Sequence, residues 1–353
     1  MKLAPHITRN LIATISAAAL FTLGAPAAFA GTPVAEVAAG ITPAQIHEGP
    51  MGDTAPKWRQ KVEEHPQAEE MWAYSPSMDR WIPLVVKRAV NPGRPTVYAL
   101  NGGDGGEGRA NWVMQTDILD FYADKDVNLV IPMAGKFSYY TDWQQEVPHL
   151  GGKQMWETFM TKELPQAIED NLNANDQRAI FGMSMTATTT LLYAQHQPGF
   201  YDAIGSFSGC AQTSQGAGLF GLDQTLKRGG ATREQMWGPL GTGTWHYNDA
   251  LTNSEKLRGT PMYISNASGL AGPDDLWSGE RVQGNSANVA LLNTEGAAIE
   301  AGSNKCTHDL KAKLDSQGIG ADWVFRPVGT HSWAYWEEDM HASWETFRYA
   351  FGM

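Results

Sequence analysis

A serine hydroxyl attacks an ester only when a base takes its proton. One serine of this 353-residue chain stands in a setting made for that chemistry. Gly182-Met183-Ser184-Met185-Thr186 follows a short apolar run, Ala179-Ile180-Phe181, and precedes a helical stretch from Thr188 to His196. A strand that turns sharply into a helix pushes the serine hydroxyl outward, and the tightness of the turn demands small neighbours. Thr186 stands where such turns usually carry their last glycine. In sheets of this kind the chain order is serine, acid, histidine. The histidines after Ser184 are His196, His246, His308, His331 and His341. His331 lies in Gly329-Thr-His-Ser-Trp333, just past the last expected strand, and is the expected base. His196 is expected to face outward from its helix. The acid is open on pattern alone. Topology favours Asp274 or Asp275, in the loop after Pro261–Ser265, while Glu295, Glu300 and Asp309 also precede His331. Two backbone N–H groups are needed for the oxyanion. Met185 and Gly103, in the loop Asn101-Gly-Gly-Asp-Gly-Gly106, are expected to supply them.

These groups require a scaffold that brings distant segments together. Short apolar runs alternate with helical stretches, the signature of a βαβ arrangement. Strands are expected at 81–87, 96–100, 127–131, 179–181, 203–207, 261–265 and 323–325. Residues 156–171 carry Trp156, Phe159, Leu164 and Ile168 at helical spacing. The expected fold class is α/β, an α/β-hydrolase fold with a mostly parallel central sheet flanked by helices. Gly216 to Gly243 breaks the alternation and is expected to form a lid or substrate-binding structure above the sheet.

Residues 1–30 look like a leader. Lys2 and Arg9 precede an apolar stretch from Leu11 to Phe21, and Ala28-Phe29-Ala30 supplies small residues for a cut after Ala30. Export follows as the expected localisation. Residues 31–65 are expected to form an extended or partly helical arm, and residues 66–353 the catalytic domain. The formal net charge is −12, and loss of Lys2 and Arg9 makes the mature chain more negative. That argues against nucleic-acid partners, which need basic surface. No later stretch is apolar enough to span a bilayer. The histidines lack metal-type pairing and the cysteines lack metal-type spacing, so no metal or other cofactor is expected. Two cysteines in an exported chain, Cys210 and Cys306, are expected to pair as a disulfide.

Several segments, taken together and in order, resemble the secreted mycolyltransferases of mycolic-acid-bearing actinobacteria, the antigen 85 type. They are Ser138-Tyr-Tyr-Thr-Asp-Trp143, Trp156-Glu-Thr-Phe159 with Glu163-Leu-Pro165, and Gly182-Met-Ser-Met185. Met236-Trp-Gly-Pro239, Trp245-His-Tyr-Asn-Asp249 and Gly329-Thr-His-Ser-Trp-Ala-Tyr-Trp336 complete the set. The paired cysteines resemble the corynebacterial-like branch. The resemblance implies transfer of a mycoloyl group from trehalose monomycolate to an acceptor hydroxyl, on a trehalose ester, arabinogalactan or a protein. It implies a Ser-Glu-His triad with Glu300 as the acid. It also implies sugar contacts, for which Asn101, Trp112, Ser332 and Trp333 are the candidates. The family's arginine after the second strand has no counterpart in Asn101-Gly-Gly-Asp104. A plain secreted carboxylesterase with the same triad is the alternative.

Overall fold

A computed structural model of the chain describes residues 40–52, 55–282 and 284–353. The leader, its cut after Ala30 and the first part of the arm lie outside the described residues.

The chain runs β1 (Gln45–Glu48), α1 (Arg59–Glu64), β2 (Ala68–Ser75), β3 (Arg80–Lys87) and β4 (Thr96–Leu100). Next come α2 (Trp112–Gln115), α3 (Ile118–Phe121), β5 (Asn128–Pro132), α4 (Trp156–Thr158) and α5 (Leu164–Leu172), the last two joined by a π-helical turn. Then follow β6 (Arg178–Met183), α6 (Met185–His196), β7 (Ala203–Phe207), α7 (Gly216–Arg228), α8 (Arg233–Trp237) and α9 (Gly243–Tyr247). The remainder is β8 (Met262–Asn266), α10 (Ser286–Leu291), α11 (Ala297–Gln317), β9 (Asp322–Phe325) and α12 (Trp333–Ala350). A π-helical turn, Leu292–Gly296, feeds α10 into α11.

The nine strands form one sheet in the order β1-β2-β3-β5-β4-β6-β7-β8-β9. β1, β2, β3 and β5 pair antiparallel, and from β5 through β4 to β9 all pairs are parallel. This is the expected α/β-hydrolase architecture. The central strands β4, β5 and β7 are buried along their whole length because helices cover both faces. Alternate residues of β4 show it: Val97 and Ala99 join one buried cluster with α2, α3 and α12, whereas Tyr98 and Leu100 join the other with α5, α6 and α11.

Two strands, β1 and β2, go beyond the sequence expectations. Residues 68–75, unassigned from sequence, form β2, and Gln45–Glu48 of the expected arm adds an edge strand beside it. The glycine-rich stretch is largely helical. Gly218 of α7 is required there, since a Cβ would fall 1.6 Å from the Gln212 carbonyl oxygen.

The loops that matter leave the carboxyl ends of the parallel strands: 101–111 after β4, Ser184 after β6, 208–215 after β7, 267–285 after β8 and 326–332 after β9. In open parallel sheets this edge is where ligands bind.

Candidate active site

Ser184 sits between β6 and α6 with φ 58° and ψ −119°. A non-glycine residue there stores strain, which its surroundings must hold. The Ser184 N–H donates to the Phe207 carbonyl (2.9 Å), tying the turn to the neighbouring strand. Any residue larger than Gly182 would crowd the turn, because a Cβ would lie 2.5 Å from Thr186 Oγ1. The threonine in place of the usual glycine is accommodated by its own hydrogen bond: Thr186 Oγ1 donates to the Met183 carbonyl (3.1 Å).

The structure brings three of the sequence-predicted residues into one line. Ser184 Oγ is 2.7 Å from His331 Nε2, and His331 Nδ1 is 2.8 Å from Glu300 Oε2. A carboxylate only accepts, so Nδ1 carries the ring proton and leaves Nε2 free to accept from the serine. Glu300 is wholly buried in the first turn of α11. Its second oxygen accepts from Ser208 Oγ (2.9 Å), Asn266 Nδ2 (2.7 Å) and the Ala267 N–H (2.7 Å). Ser208 in turn accepts from Trp336 Nε1 (3.0 Å), and the Trp336 ring lies edge-on to His331 at 4.8 Å between centroids. Ser208, Asn266 and Trp336 were not singled out from sequence. Polar residues at the ends of β7 and β8 were the available signal.

Asp275, the topological candidate for the acid, faces the His331 loop but not its ring. Its carboxylate accepts from Thr330, Ser332, Tyr335 and Gly272. Among the other candidates, Glu295 pairs with Arg228 and Asp309 with Lys305. His196 does not face outward. Its ring is buried between Glu157 (Nδ1 to Oε1, 3.0 Å) and the Tyr247 carbonyl (2.8 Å), stacked on Tyr247 at 3.6 Å. The reason is that α9 packs over the end of α6, which sequence periodicity does not reveal.

The Met185 N–H opens α6 and has no partner within the helix. Gly103 borders the same cavity, its carbonyl fixed by the Phe137 N–H at 2.9 Å. Among the described residues neither N–H has a protein acceptor.

Three expected sugar contacts are corrected. Asn101 is fully buried; its amide donates to the Pro132 carbonyl and accepts from the Trp112 N–H. Trp112 is fully buried too, its indole N–H on the Leu100 carbonyl and its ring against Phe181 and Phe207. Ser332 is buried with its hydroxyl on Asp275. Each serves the packing beneath the site. Trp333 alone of the four lines the cavity.

That cavity has a volume of about 720 Å³ and opens over Ser184 and His331. Its walls come largely from α7 and α11, with Phe220, Leu222, Ala298 and Ile299 among them, and Phe137, Trp333 and Trp336 also line it. The wall also carries Cys210 and Cys306, which form the expected disulfide with Cα atoms 5.0 Å apart. Among the described residues, no cluster of side chains is suited to a metal ion and no helix is long and apolar enough to cross a membrane.

A mostly parallel sheet with a strained serine turn and a Ser–His–Glu hydrogen-bond line defines the serine-hydrolase type of α/β-hydrolase. A family model described as putative esterase matches residues 75–347. The diacylglycerol acyltransferase/mycolyltransferase Ag85A of Mycobacterium tuberculosis is 30% identical over 273 residues, which cover 76% of this chain and 77% of that protein. Ag85B of Mycolicibacterium smegmatis is 28% identical over 280 residues, covering 78% and 82%. Among solved structures, Mycobacterium tuberculosis MPT51 superposes with a TM-score of 0.64 at 23% identity, covering 78% of this chain and 96% of that one. The Staphylococcus aureus serine hydrolase FphF gives 0.58 at 12% identity, covering 80% and 98%, and shares the fold. The chain belongs to the putative-esterase family and, within it, to the antigen 85 type of mycolyltransferases.

Proposed function

We propose that this protein moves a mycoloyl group from trehalose monomycolate to an acceptor hydroxyl through an acyl-enzyme on Ser184. The observation that carries this is the Ser184–His331–Glu300 line at the mouth of a cavity walled by apolar side chains. The names of the Ag85 relatives supply the acyl group.

His331 Nε2 takes the proton from Ser184 Oγ as the oxygen attacks the ester carbonyl carbon. Glu300, accepting from Nδ1–H, stabilises the imidazolium that forms. The developing oxyanion is held by the Met185 and Gly103 N–H groups. Collapse expels trehalose, whose oxygen receives the proton from His331, and leaves the acyl group on Ser184. The acceptor hydroxyl then gives its proton to His331 and attacks the acyl carbon, and Ser184 departs with that proton. Trp333, on the cavity wall, offers an aromatic surface to a sugar ring. The acceptor is a second trehalose monomycolate, arabinogalactan or a protein. Catalysis calls for no cofactor.

The basic, apolar and small-residue segments of residues 1–30 support export, with a cut after Ala30. The Cys210–Cys306 bridge fits an oxidising compartment. Residues 31–65 then form the amino-terminal arm and 66–353 the catalytic domain.

Incubation with trehalose monomycolate tests the activity. Trehalose dimycolate and free trehalose, formed in equal amounts, are the expected products. Free mycolic acid without any transferred product would make the enzyme a carboxylesterase and overturn the transfer.

A further inference from the structure

The loop after β8 carries a carboxylate that mechanism does not use. Asp275 is wholly buried, and among the described residues no lysine, arginine or histidine pairs with it. A carboxyl group in that position must be held by hydrogen bonds. Five donors surround it. Oδ1 accepts from Thr330 Oγ1 (2.6 Å) and Ser332 Oγ (3.2 Å). Oδ2 accepts from the N–H groups of Gly272 (2.9 Å) and Thr330 (3.0 Å) and from the Tyr335 hydroxyl (2.9 Å). Four of the five belong to Thr330, Ser332 and Tyr335, so the contacts bracket His331 on both sides. The Asp275 carbonyl accepts from Asn293 Nδ2 (2.9 Å), in the π-helical turn that leads into α11 and Glu300. The Gly296 carbonyl of the same turn accepts from the His331 N–H (3.3 Å). One buried residue thus holds the backbone that presents the base and the turn that precedes the acid.

We propose that Asp275 is a positioning residue for His331: it fixes the histidine loop so that the ring spans Ser184 and Glu300 together. This rests on the acyl-enzyme role of Ser184. A shift of about 1 Å between reacting groups costs on the order of 10²-fold in rate, which sets the scale of the effect. The shape of the site also predicts which variants are tolerated. In Asp275→Asn the carboxamide oxygen can take the place of Oδ2, with the amide facing the Thr330 and Ser332 hydroxyls, which are able to accept. In Asp275→Ala no acceptor remains.

The test is the rate at which a fluorophosphonate reacts with Ser184, measured on protein shown to be folded by circular dichroism. It is paired with kcat and KM for ester turnover and with the downfield imidazole N–H resonance of His331. Asp275→Ala should lose about 10²-fold in reaction rate and in kcat, with KM little changed and the His331 resonance shifted or lost. Asp275→Asn should stay within about tenfold of wild type. Thr330→Val, which removes one donor, should fall between, and it serves if the alanine variant does not fold. Asp274→Asn, one residue away and outside this set of contacts, should behave as wild type. Folded Asp275→Ala or Thr330→Val reacting at the wild-type rate with an unchanged His331 resonance would overturn the proposal. A wild-type protein that does not react at Ser184 would instead overturn the acyl-enzyme reading beneath it.

Discussion

Glu300 reaches His331 from the first turn of α11, with Oε2 2.8 Å from Nδ1, and not from the loop that follows β8. The carboxylate is therefore delivered by a helix that the sheet alone does not place. Its partners Ser208, Asn266 and Ala267 come from the ends of β7 and β8. The arrangement clamps α11 onto the sheet edge beside His331.

Glu300→Gln keeps the shape but loses the charge proposed to stabilise the imidazolium. The comparable change in a serine triad lowers kcat by about 10⁴-fold. A loss of about 10³- to 10⁴-fold in kcat is expected here, with KM nearly unchanged, in steady-state transfer assays. A loss below tenfold would mean that another carboxylate serves His331.

The Cys210–Cys306 bridge closes a separation of 96 residues. Loop-closure entropy in the unfolded chain puts its contribution at about 4.7 kcal/mol. Cys306 lies on the helix that carries Glu300, and Cys210 follows Ser208 by two residues. The paired Cys210→Ser, Cys306→Ser variant should melt well below wild type and turn over more slowly. Calorimetry with and without reductant gives the comparison, and equal melting temperatures would contradict the estimate.

The elbow makes a local prediction. Gly182→Ala sets a methyl group 2.5 Å from Thr186 Oγ1. Overpacking of this kind costs about 1–3 kcal/mol. Thr186→Ala removes the closest contact, so the double variant should recover part of the loss. A double-mutant cycle on urea unfolding measures this, and strict additivity would show that the two side chains do not clash.

Stability should also depend on pH through Asp142. Burial pushes its carboxyl up to about 6, while its carboxylate accepts from the Thr158 N–H and hydroxyl. The unfolded value is about 3.9, so the native state holds the proton more tightly. This contribution is fully present below about pH 4 and is lost as pH rises through about 6. Asp142→Asn should remove that part of the slope in melting temperature between pH 4 and 7. Asp339, pushed up in the same direction to about 6 by its own burial, would retain its share. Parallel wild-type and variant curves would count against it.

The Ser184–His331 contact could be anticipated from sequence because the surroundings are local: a buried strand and a helix flank the serine, and a strand end precedes the histidine. Glu300 could not. Its role depends on how α11 packs against β8, and on pattern alone it was one carboxylate among five. Only the family resemblance singled it out. Asp275 shows the converse. Its place after β8 suggested the acid, yet its side chain is spent on the backbone around His331. Trp112 and Asn101 misled for a related reason. Residue type suggested sugar contact, but burial is set by α2 and the loop after β4 folding down over Phe181 and Phe207. β2 went unrecognised because Glu69 and Glu70 interrupt its apolar pattern. In the fold Glu70 is buried and paired with Arg59 at 2.6 Å, a contact formed only when α1 docks.

The most direct test of the account is peptide mass spectrometry on an acid-quenched reaction of the protein with trehalose monomycolate. The account predicts a mycoloyl ester on the peptide that contains Ser184, appearing in wild type and absent from Ser184→Ala, which should lose on the order of 10⁶-fold in turnover. Transfer products formed while that peptide stays unmodified, or by the alanine variant at the wild-type rate, would contradict it.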